Sequence, residues 1–247
     1  MLNGKTAIIT GAAGGLGSAI ARKFADHGAA VVMTDVDVTA VERAAQGLAM
    51  ARYIRHDVTL EEDWIEVIGL AERSFGRVDV VVNNAGLIRV GNIETVRAED
   101  WNAIMNVCAF GAMLGCKHGM SALKRAGGGS LINISSISAL RGRSYIPAYA
   151  AAKGAVAALT KAVAIQCMEE GSGIRCNSVH PGAIDTPMLS GVSQSVSEGN
   201  ASTDTKPGVF GLLSPSSVAD SVLFLASDLS LRVNGTELVV DDGVCAR

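Results

Sequence analysis

Tyr149 and Lys153 are the side chains of this 247-residue chain whose types and spacing best suit acid–base chemistry. Residues four apart share one face of a helix, about one turn from each other. An ammonium beside a phenol stabilises the phenolate, so we expect Lys153 to lower the pKa of Tyr149 from its ordinary value near ~10. Such a phenol can accept or return a proton at ordinary pH. The pair therefore predicts a general acid–base site, although the same spacing also arises by chance on amphipathic surface helices.

The elements that must position this pair alternate regularly between two patterns. Alternation of apolar, β-branched runs with helix-like stretches predicts βαβ units and a parallel sheet covered on both faces. The sequence thus predicts an α/β class, with a single-domain, Rossmann-like, doubly wound fold and a seven-stranded parallel sheet. The strand-like runs are 6–10, 30–34, 52–55, 78–82, 130–134, 174–179 and 237–240, and the helix-like stretches are 15–27, 39–50, 60–75, 98–125, 149–170 and 216–227.

No break in composition separates a second domain, so we predict that residues 1–247 form one dinucleotide-binding and catalytic domain. The segment 189–214 is rich in Ser, Gly, Asn, Thr and Asp and is too long for an ordinary connection. We interpret it as a substrate lid around 187–214, and the alternative is a disordered loop.

A glycine-rich loop follows the first predicted strand and opens the first predicted helix. Glycines let the backbone approach a pyrophosphate closely, and the helix N-terminus adds amide donors and partial positive charge. No Gly-Lys-Ser/Thr follows, which excludes a P-loop for nucleoside triphosphates. The loop predicts a dinucleotide site that includes Gly11, Gly14, Gly15, Leu16 and Gly17.

Asp35 stands at the end of the second predicted strand, where a dinucleotide-binding fold carries its acidic ribose ligand. Its carboxylate can accept hydrogen bonds from the adenosine ribose and would repel a 2′-phosphate. No Arg or Lys occurs in 11–17 or 35–41 to receive that phosphate. These features favour NAD over NADP, and the alternative is that Asp35 is only a solvated strand-end residue.

Composition excludes several other classes of function. Hydrophobic residues make up 49% of the chain and charged residues 18%, and the net charge of −3 comes without a basic cluster for nucleic acid. No apolar run reaches the ~18 residues that span a bilayer, and residues 1–5 lead directly into a strand, so we expect no signal peptide. Five scattered cysteines without a Cys-x-x-Cys pair predict reduced thiols and no metal site. We therefore expect a cytoplasmic protein without nucleic-acid or membrane partners.

Taken together, the motifs resemble those of the short-chain dehydrogenase/reductase family along essentially the whole chain. They occur in the family's order and with its spacing, and Ser136 stands thirteen residues before Tyr149. The motifs are Thr10-Gly11-x-x-x-Gly15-x-Gly17, Asn83-Asn84-Ala85-Gly86, Asn106 in a long helix, Asn133-Ile-Ser-Ser136, Tyr149-x-x-x-Lys153 and His180-Pro181-Gly182-x-Ile184-x-Thr186. The ending Asp241-Asp242-Gly243 departs from the family's usual Asp-Gly-Gly.

The resemblance implies a catalytic tetrad. Tyr149 would remove the alcohol proton, while Lys153 would lower its pKa and hold the nicotinamide ribose. Ser136 would orient the substrate oxygen and stabilise its developing charge. Asn106 would hold a water that links Lys153 to solvent.

The resemblance also implies cofactor and substrate contacts. Asp57 and Val58 would contact adenine, and Asn83, Ala85 and Gly86 would line the middle of the cofactor. The segment with Pro181, Gly182, Ile184 and Thr186 would close over the nicotinamide. Substrate would lie against Ser136, Tyr149, Ser138, Tyr145 and Met188.

The predicted activity is the reversible oxidation of a secondary alcohol to a ketone with NAD. A hydroxysteroid, an alicyclic alcohol or a 3-hydroxyacyl compound remains open as substrate, and Arg141 and Arg143 could bind an anionic group or be solvated loop residues. One alternative is an NADPH-dependent 3-ketoacyl-type reductase, and another is a non-catalytic nucleotide-sensing protein. The resemblance further implies a homotetramer built on the long fourth and fifth helices.

Overall fold

A seven-stranded parallel sheet forms the centre of the computed structural model, which describes residues 1–195 and 211–246. Its order is β3-β2-β1-β4-β5-β6-β7, and every neighbouring pair is parallel. The strands are β1 (Thr6–Thr10), β2 (Ala30–Asp35), β3 (Ala51–Arg55), β4 (Val80–Asn83), β5 (Gly129–Ile134), β6 (Ile174–Pro181) and β7 (Glu237–Val240). The predicted doubly wound α/β fold is confirmed.

Helices connect the strands. In α3 the sequence favours both ends of the helix. Glu61, Glu62 and Asp63 occupy its first turn, and it stops at Gly76, which has φ of 82°. The helices are α1 (Gly15–Asp26), α2 (Val38–Ala45), α3 (Glu61–Phe75), α4 (Ala98–Met105), α5 (Gly111–Ala126), α6 (Pro147–Glu169), α7 (Pro187–Ser195) and α8 (Pro215–Ala226).

The two faces of the sheet bury separate apolar layers. Ile9 of β1 packs in the layer that contains Phe24 of α1 and Val222 of α8. Its neighbour Ile8 packs in the opposite layer, with Trp64 of α3. Successive side chains of a strand point to opposite faces, so a continuous apolar run is what a sheet covered on both sides requires.

Two predicted helices have different bounds in the structure. The single helix expected over 98–125 is divided by a π-helical turn, Asn106–Phe110, between α4 and α5. The helix expected over 39–50 ends at Ala45, before Gly47 turns the chain with φ of 81°. The start of the expected lid is helical as α7, its part at 196–210, which includes Phe210, lies outside the described residues, and the lid itself stays a prediction.

The C-terminal turn shows how the chain accommodates its departure from Asp-Gly-Gly. Asp242 has φ of 53°, in the left-handed region that favours glycine but tolerates aspartate. The carboxylate of Asp241 accepts hydrogen bonds from the amides of Gly243 (2.9 Å) and Cys245 (2.7 Å). These bonds hold the turn against the end of β7.

Among the described residues, α6 alone is long and apolar enough to cross a membrane by length and composition. Core helices of globular proteins meet the same criteria. One face of α6 packs against β6 and α4, and it carries the buried cation Lys153. The hydropathy of α6 is therefore weak support for a membrane span.

Candidate active site

A cavity of about 440 Å³ opens at the carboxyl ends of the strands, beside the neighbours β1 and β4. The order of strands reverses between β1 and β4, and open α/β sheets bind ligands at such a switch point. Loops that follow β1, β2, β4, β5 and β6 supply most of the wall, and α6 and α7 supply the rest. The predicted residues that line it are Gly11, Gly14, Gly15, Leu16, Gly17, Asp35, Ala85, Gly86, Ser136, Ser138, Tyr145, Tyr149, Lys153, Pro181, Gly182, Ile184, Thr186 and Met188.

The glycine loop is held closely against the loop after β4. Gly11 has φ of 64°, and a Cβ there would lie 2.8 Å from Cα of Ala85. A Cβ at Gly17 would overlap the carbonyl oxygen of Gly11. The Asn84 amide donates to the carbonyls of Thr10 (2.8 Å) and Gly11 (3.1 Å). These contacts require glycine at both positions and fix the shape of the cradle.

The start of α1 suits an anion. Gly14 precedes the helix, and no side chain caps its first turn, so the amide donors of that turn remain available. A Cβ at Gly14 would meet no atom within 4 Å, which leaves open space beside the backbone. Uncapped amides, a helix N-terminus and room for close approach together fit the pyrophosphate of a dinucleotide.

Asp35 lies at the glycine-loop end of the same cavity. Its carboxylate accepts hydrogen bonds from the amides of Ala13 (3.1 Å) and Asp37 (3.2 Å). A carboxylate has about four lone-pair sites, so two remain for a ligand. The structure thus gives Asp35 a fixed position in the cavity wall.

Tyr149 and Lys153 lie on the face of α6 that borders the cavity. Pro147 occupies the first turn of the helix, where its missing N–H is harmless. The Lys153 side chain is 3% exposed, its Nζ donates to the carbonyl of Ile134 at 2.7 Å, and it stands 5.6 Å from the centre of the Tyr149 ring. The two side chains are neighbours, as their spacing predicts.

The pKa of Tyr149 moves in the direction opposite to the one expected. Burial raises it, the neighbouring Cys108 adds to the rise, and a hydrogen bond with Ser136 opposes it. Burial also lowers the pKa of Lys153. The ammonium of Lys153 donates to the carbonyl of Ile134 and not to the phenol. Desolvation of the phenol therefore outweighs the stabilisation of the phenolate that Lys153 was expected to provide.

Two adjacent serines after β5 are directed to different partners. Ser135 Oγ donates to the carbonyl of Lys153 at 2.9 Å and so ties β5 to α6. Ser136 Oγ accepts from the amide of Ser138 at 3.1 Å and lies close enough to Tyr149 to lower the pKa of the phenol. Ser136 is the serine next to the phenol, in agreement with the thirteen-residue spacing.

Comparison with known proteins identifies the family. Residues 11–245 match the family model described as Enoyl-(Acyl carrier protein) reductase. A 3-beta-hydroxysteroid dehydrogenase of Comamonas testosteroni is 37% identical over 246 residues, which cover 98% of this chain and 96% of the relative. A trans-4-hydroxycyclohexanecarboxylate dehydrogenase of Sinomonas cyclohexanicum is 38% identical, with 98% and 93% covered. An NADP-dependent (R)-specific alcohol dehydrogenase of Lentilactobacillus kefiri is 37% identical, with 100% and 98% covered.

The chain belongs to the short-chain dehydrogenase/reductase family. It is accordingly an oxidoreductase, and the family uses a nicotinamide cofactor.

The placement of Asn106 in the tetrad is wrong. Asn106 is exposed at the start of the π-helical turn and does not line the cavity. Cys108, 2% exposed, is buried behind the cavity wall instead, in one apolar cluster with Ala148 and Ala152 of α6, against which Tyr149 packs. Residues two apart on a helix point to nearly opposite sides, so only one of the two can point toward α6.

Cys108 has a defined set of partners. Its Sγ accepts from the amide of Leu87 at 3.3 Å and donates to the Leu87 carbonyl at 3.4 Å. A Cβ at Gly86 would stand 3.9 Å from this sulfur and 3.7 Å from Lys153 Nζ. In this short-chain dehydrogenase/reductase a thiol therefore lies behind the cavity wall, close to Gly86 and to the lysine.

Three further predicted residues do not line the cavity. Asn83 is buried behind it and donates to Asn133 Oδ1 at 2.7 Å, while its neighbour Asn84 faces the cavity. The Asp57 carboxylate accepts from the amide and hydroxyl of Thr59, at 3.0 and 2.7 Å. Val58 is 7% exposed in the apolar layer. The adenine contacts of Asp57 and Val58 stay predictions.

Sequence reasoning also missed parts of the wall. Ile88, Ile137 and Pro187 line the cavity without belonging to any of the motifs, and Ile134 and Ala183 line it from motif positions to which no role was assigned. Their positions at or within a few residues of strand ends were the available signal, because those ends meet at one edge of the sheet.

The cradle generates a direct test. We expect Gly17→Ala to raise the dissociation constant of the nicotinamide dinucleotide at least about tenfold, or by about 1.4 kcal/mol, because the added Cβ displaces the loop. Gly154→Ala in α6 is the matched control, since a Cβ there meets no atom within 4 Å. Titration of intrinsic fluorescence measures both constants, and unchanged binding in Gly17→Ala would contradict the cradle.

Proposed function

We propose that this protein reversibly oxidises a secondary alcohol to a ketone, with NAD as cofactor and Tyr149 as the acid–base group. The observation that supports this most is the convergence of Tyr149, Ser136 and Lys153 on a cavity that the glycine loop also lines. Relatives that act on a 3-beta-hydroxysteroid and on trans-4-hydroxycyclohexanecarboxylate support a CH–OH donor.

Ser136 and Tyr149 would hold the oxygen of the substrate. Ser136 Oγ accepts the amide proton of Ser138, which leaves its own proton free to be donated. That proton would stabilise negative charge on the substrate oxygen during the reaction. Tyr149 would then exchange its proton with the same oxygen.

Proton transfer depends on which charges surround Tyr149. The raised pKa keeps the phenol protonated in the ligand-free chain, which suits it as the acid in ketone reduction. Lys153 would hold the nicotinamide ribose through the donors that Ile134 leaves free, and so fix the cofactor beside Tyr149. A bound nicotinamide would supply hydride exchange, and Tyr149 would lose its proton more readily beside the positively charged oxidised form. Since Asn106 faces away, we propose no proton route through it.

The acid–base role predicts the behaviour of a phenylalanine variant. Tyr149→Phe keeps the ring but has no proton to exchange, so kcat should fall by about 10²–10⁴ while the cofactor still binds. In the wild type, alcohol oxidation should rise with pH because Tyr149 must lose its proton, and ketone reduction should fall. Steady-state rates against pH measure both trends.

Tyr53→Phe serves as the control for that experiment, because Tyr53 is an exposed residue of β3 that does not line the cavity. It should retain the wild-type rates and pH profiles. Turnover by Tyr149→Phe close to that of the wild type would overturn the proposed mechanism.

Asp35 supports NAD as the cofactor. Its two free lone-pair sites would accept the ribose hydroxyls, and its charge would repel a 2′-phosphate. A basic residue that could receive the phosphate is missing from 11–17 and 35–41. One relative is NADP-dependent, so family membership leaves the choice between the two cofactors open.

Removal of the Asp35 carboxylate tests the preference for NAD over NADP. We expect the wild type to prefer NAD over NADP by at least about 100-fold in kcat/KM, because juxtaposed like charges cost several kcal/mol. Asp35→Ala should reduce that ratio at least about tenfold. Asp37→Ala, whose carboxylate accepts from the amide of Ala40, should leave the ratio unchanged. A wild-type preference for NADP would refute this cofactor assignment and favour the 3-ketoacyl-type reductase.

We further propose a homotetramer in the cytoplasm. The outer surface of α6 exposes Ile165 (51%) and Met168 (63%), and Phe110 of the π-helical turn is 43% exposed. Association through these helices would cover that apolar surface. Light scattering of the purified protein tests the assembly, and a monomer at micromolar concentration would contradict it.

A further inference from the structure

We propose that Arg143 binds an anionic group of the substrate, so that the preferred substrate is a cyclic secondary alcohol that carries a carboxylate. The proposal rests on the alcohol-dehydrogenase function given above and adds the chemical class of its substrate.

The substrate end of the cavity combines apolar walls with a single cation. Its apolar side chains include Ile88, Ile146, Leu189 and Val192. Among the described residues that line the whole cavity, Lys153 and Arg143 are the cations and Asp35 is the acid. Lys153 donates to Ile134 and, in the function proposed above, to the nicotinamide ribose, and Asp35 lies with the glycine loop. Arg143 is thus the cation that remains for substrate.

The guanidinium of Arg143 has no internal partner. Within 1–195 and 211–246, its side chain forms no hydrogen bond or ion pair. By contrast, Arg141 on the same loop donates from Nη1 to the carbonyl of Val244 at 2.7 Å. Arg77 and Arg125 are paired with Asp79 and Glu72.

The positive charge of Arg143 acts on two neighbours, Tyr145 in the cavity wall and Cys245 in the C-terminal turn. Burial raises the pKa of Tyr145, and the positive charge of Arg143 opposes that rise. Tyr145 itself lines the cavity, so the charge acts on a hydroxyl of the wall. Arg143 is only partly exposed, which limits the screening of its charge by solvent.

The geometry of the group selects its ligand. A planar guanidinium offers five N–H donors in a fork that matches a carboxylate in a bidentate arrangement. Apolar walls lower the local dielectric and strengthen such a pair. Arg143 belongs to the loop between Ser136 and Tyr149, so one loop would hold both the carboxylate and the reacting oxygen of a short, rigid substrate.

The test compares an acid with its ester. The probes are 3-hydroxycyclohexanecarboxylate and its neutral methyl ester, assayed with wild type, Arg143→Gln and the control Arg141→Gln. We expect the wild type to prefer the acid, and Arg143→Gln to lower kcat/KM for the acid at least about tenfold while the ester changes less than about twofold. Arg141→Gln should leave the ratio of acid to ester as in the wild type.

A binding measurement provides a second readout that does not depend on turnover. Cyclohexanecarboxylate should raise the melting temperature of the wild type with bound cofactor, and should raise it less in Arg143→Gln. An unchanged acid-to-ester ratio in Arg143→Gln, with equal thermal stabilisation, would overturn the anion site while ester turnover still upheld the dehydrogenase. If neither alcohol reacts with the wild type, the proposed function is in question and thermal stabilisation alone decides the role of Arg143.

Discussion

The hydrogen bond from Lys153 Nζ to the carbonyl of Ile134 (2.7 Å) is the contact on which the site depends. A buried ammonium must be satisfied, and the end of β5 provides its acceptor. Ser135, which directly follows β5, donates from Oγ to the carbonyl of Lys153, so two hydrogen bonds connect the end of β5 to α6. This double connection sets Tyr149, one turn earlier, over the cavity and beside Ser136. If α6 slid along the sheet, this contact would be lost and Tyr149 would move away from Ser136 and the cavity.

The same lysine has a second neighbour, the thiol of Cys108. Cys108 lies within the π-helical turn and is buried behind the cavity near Lys153, whereas Asn106 at the start of the turn is exposed. π-Helical turns are rare and often occur at functional sites. Here the turn places a thiol that is hydrogen-bonded to both polar groups of the Leu87 backbone. Asn106 is therefore not placed to carry the proton connection that the resemblance assigned to it.

Much of the fold and part of the site could be predicted, because they follow from local spacing. The Tyr149–Lys153 interval, the glycine loop and the apolar strand runs each determine structure within a few residues. The prediction for Asn106 failed because it rested on a short motif and not on the helical period: Ile104, Cys108 and Ala112 lie four residues apart and are all buried, which places Asn106 on the opposite, exposed side. The raised pKa of Tyr149 and the unpaired guanidinium of Arg143 could not be predicted from the sequence, because both depend on the groups that surround a side chain in three dimensions.

The central claim is that burial holds the proton on Tyr149 and that charge placed in the site releases it. Ultraviolet titration of tyrosinate measures this directly, because the chain has three tyrosines and Tyr149→Phe identifies the signal of one. The account predicts that Tyr149 of the ligand-free protein ionises above the ordinary value near ~10, and at a clearly lower pH when NAD⁺ is bound. Ionisation of Tyr149 at or below the ordinary value without ligand, or no shift with NAD⁺, would contradict it.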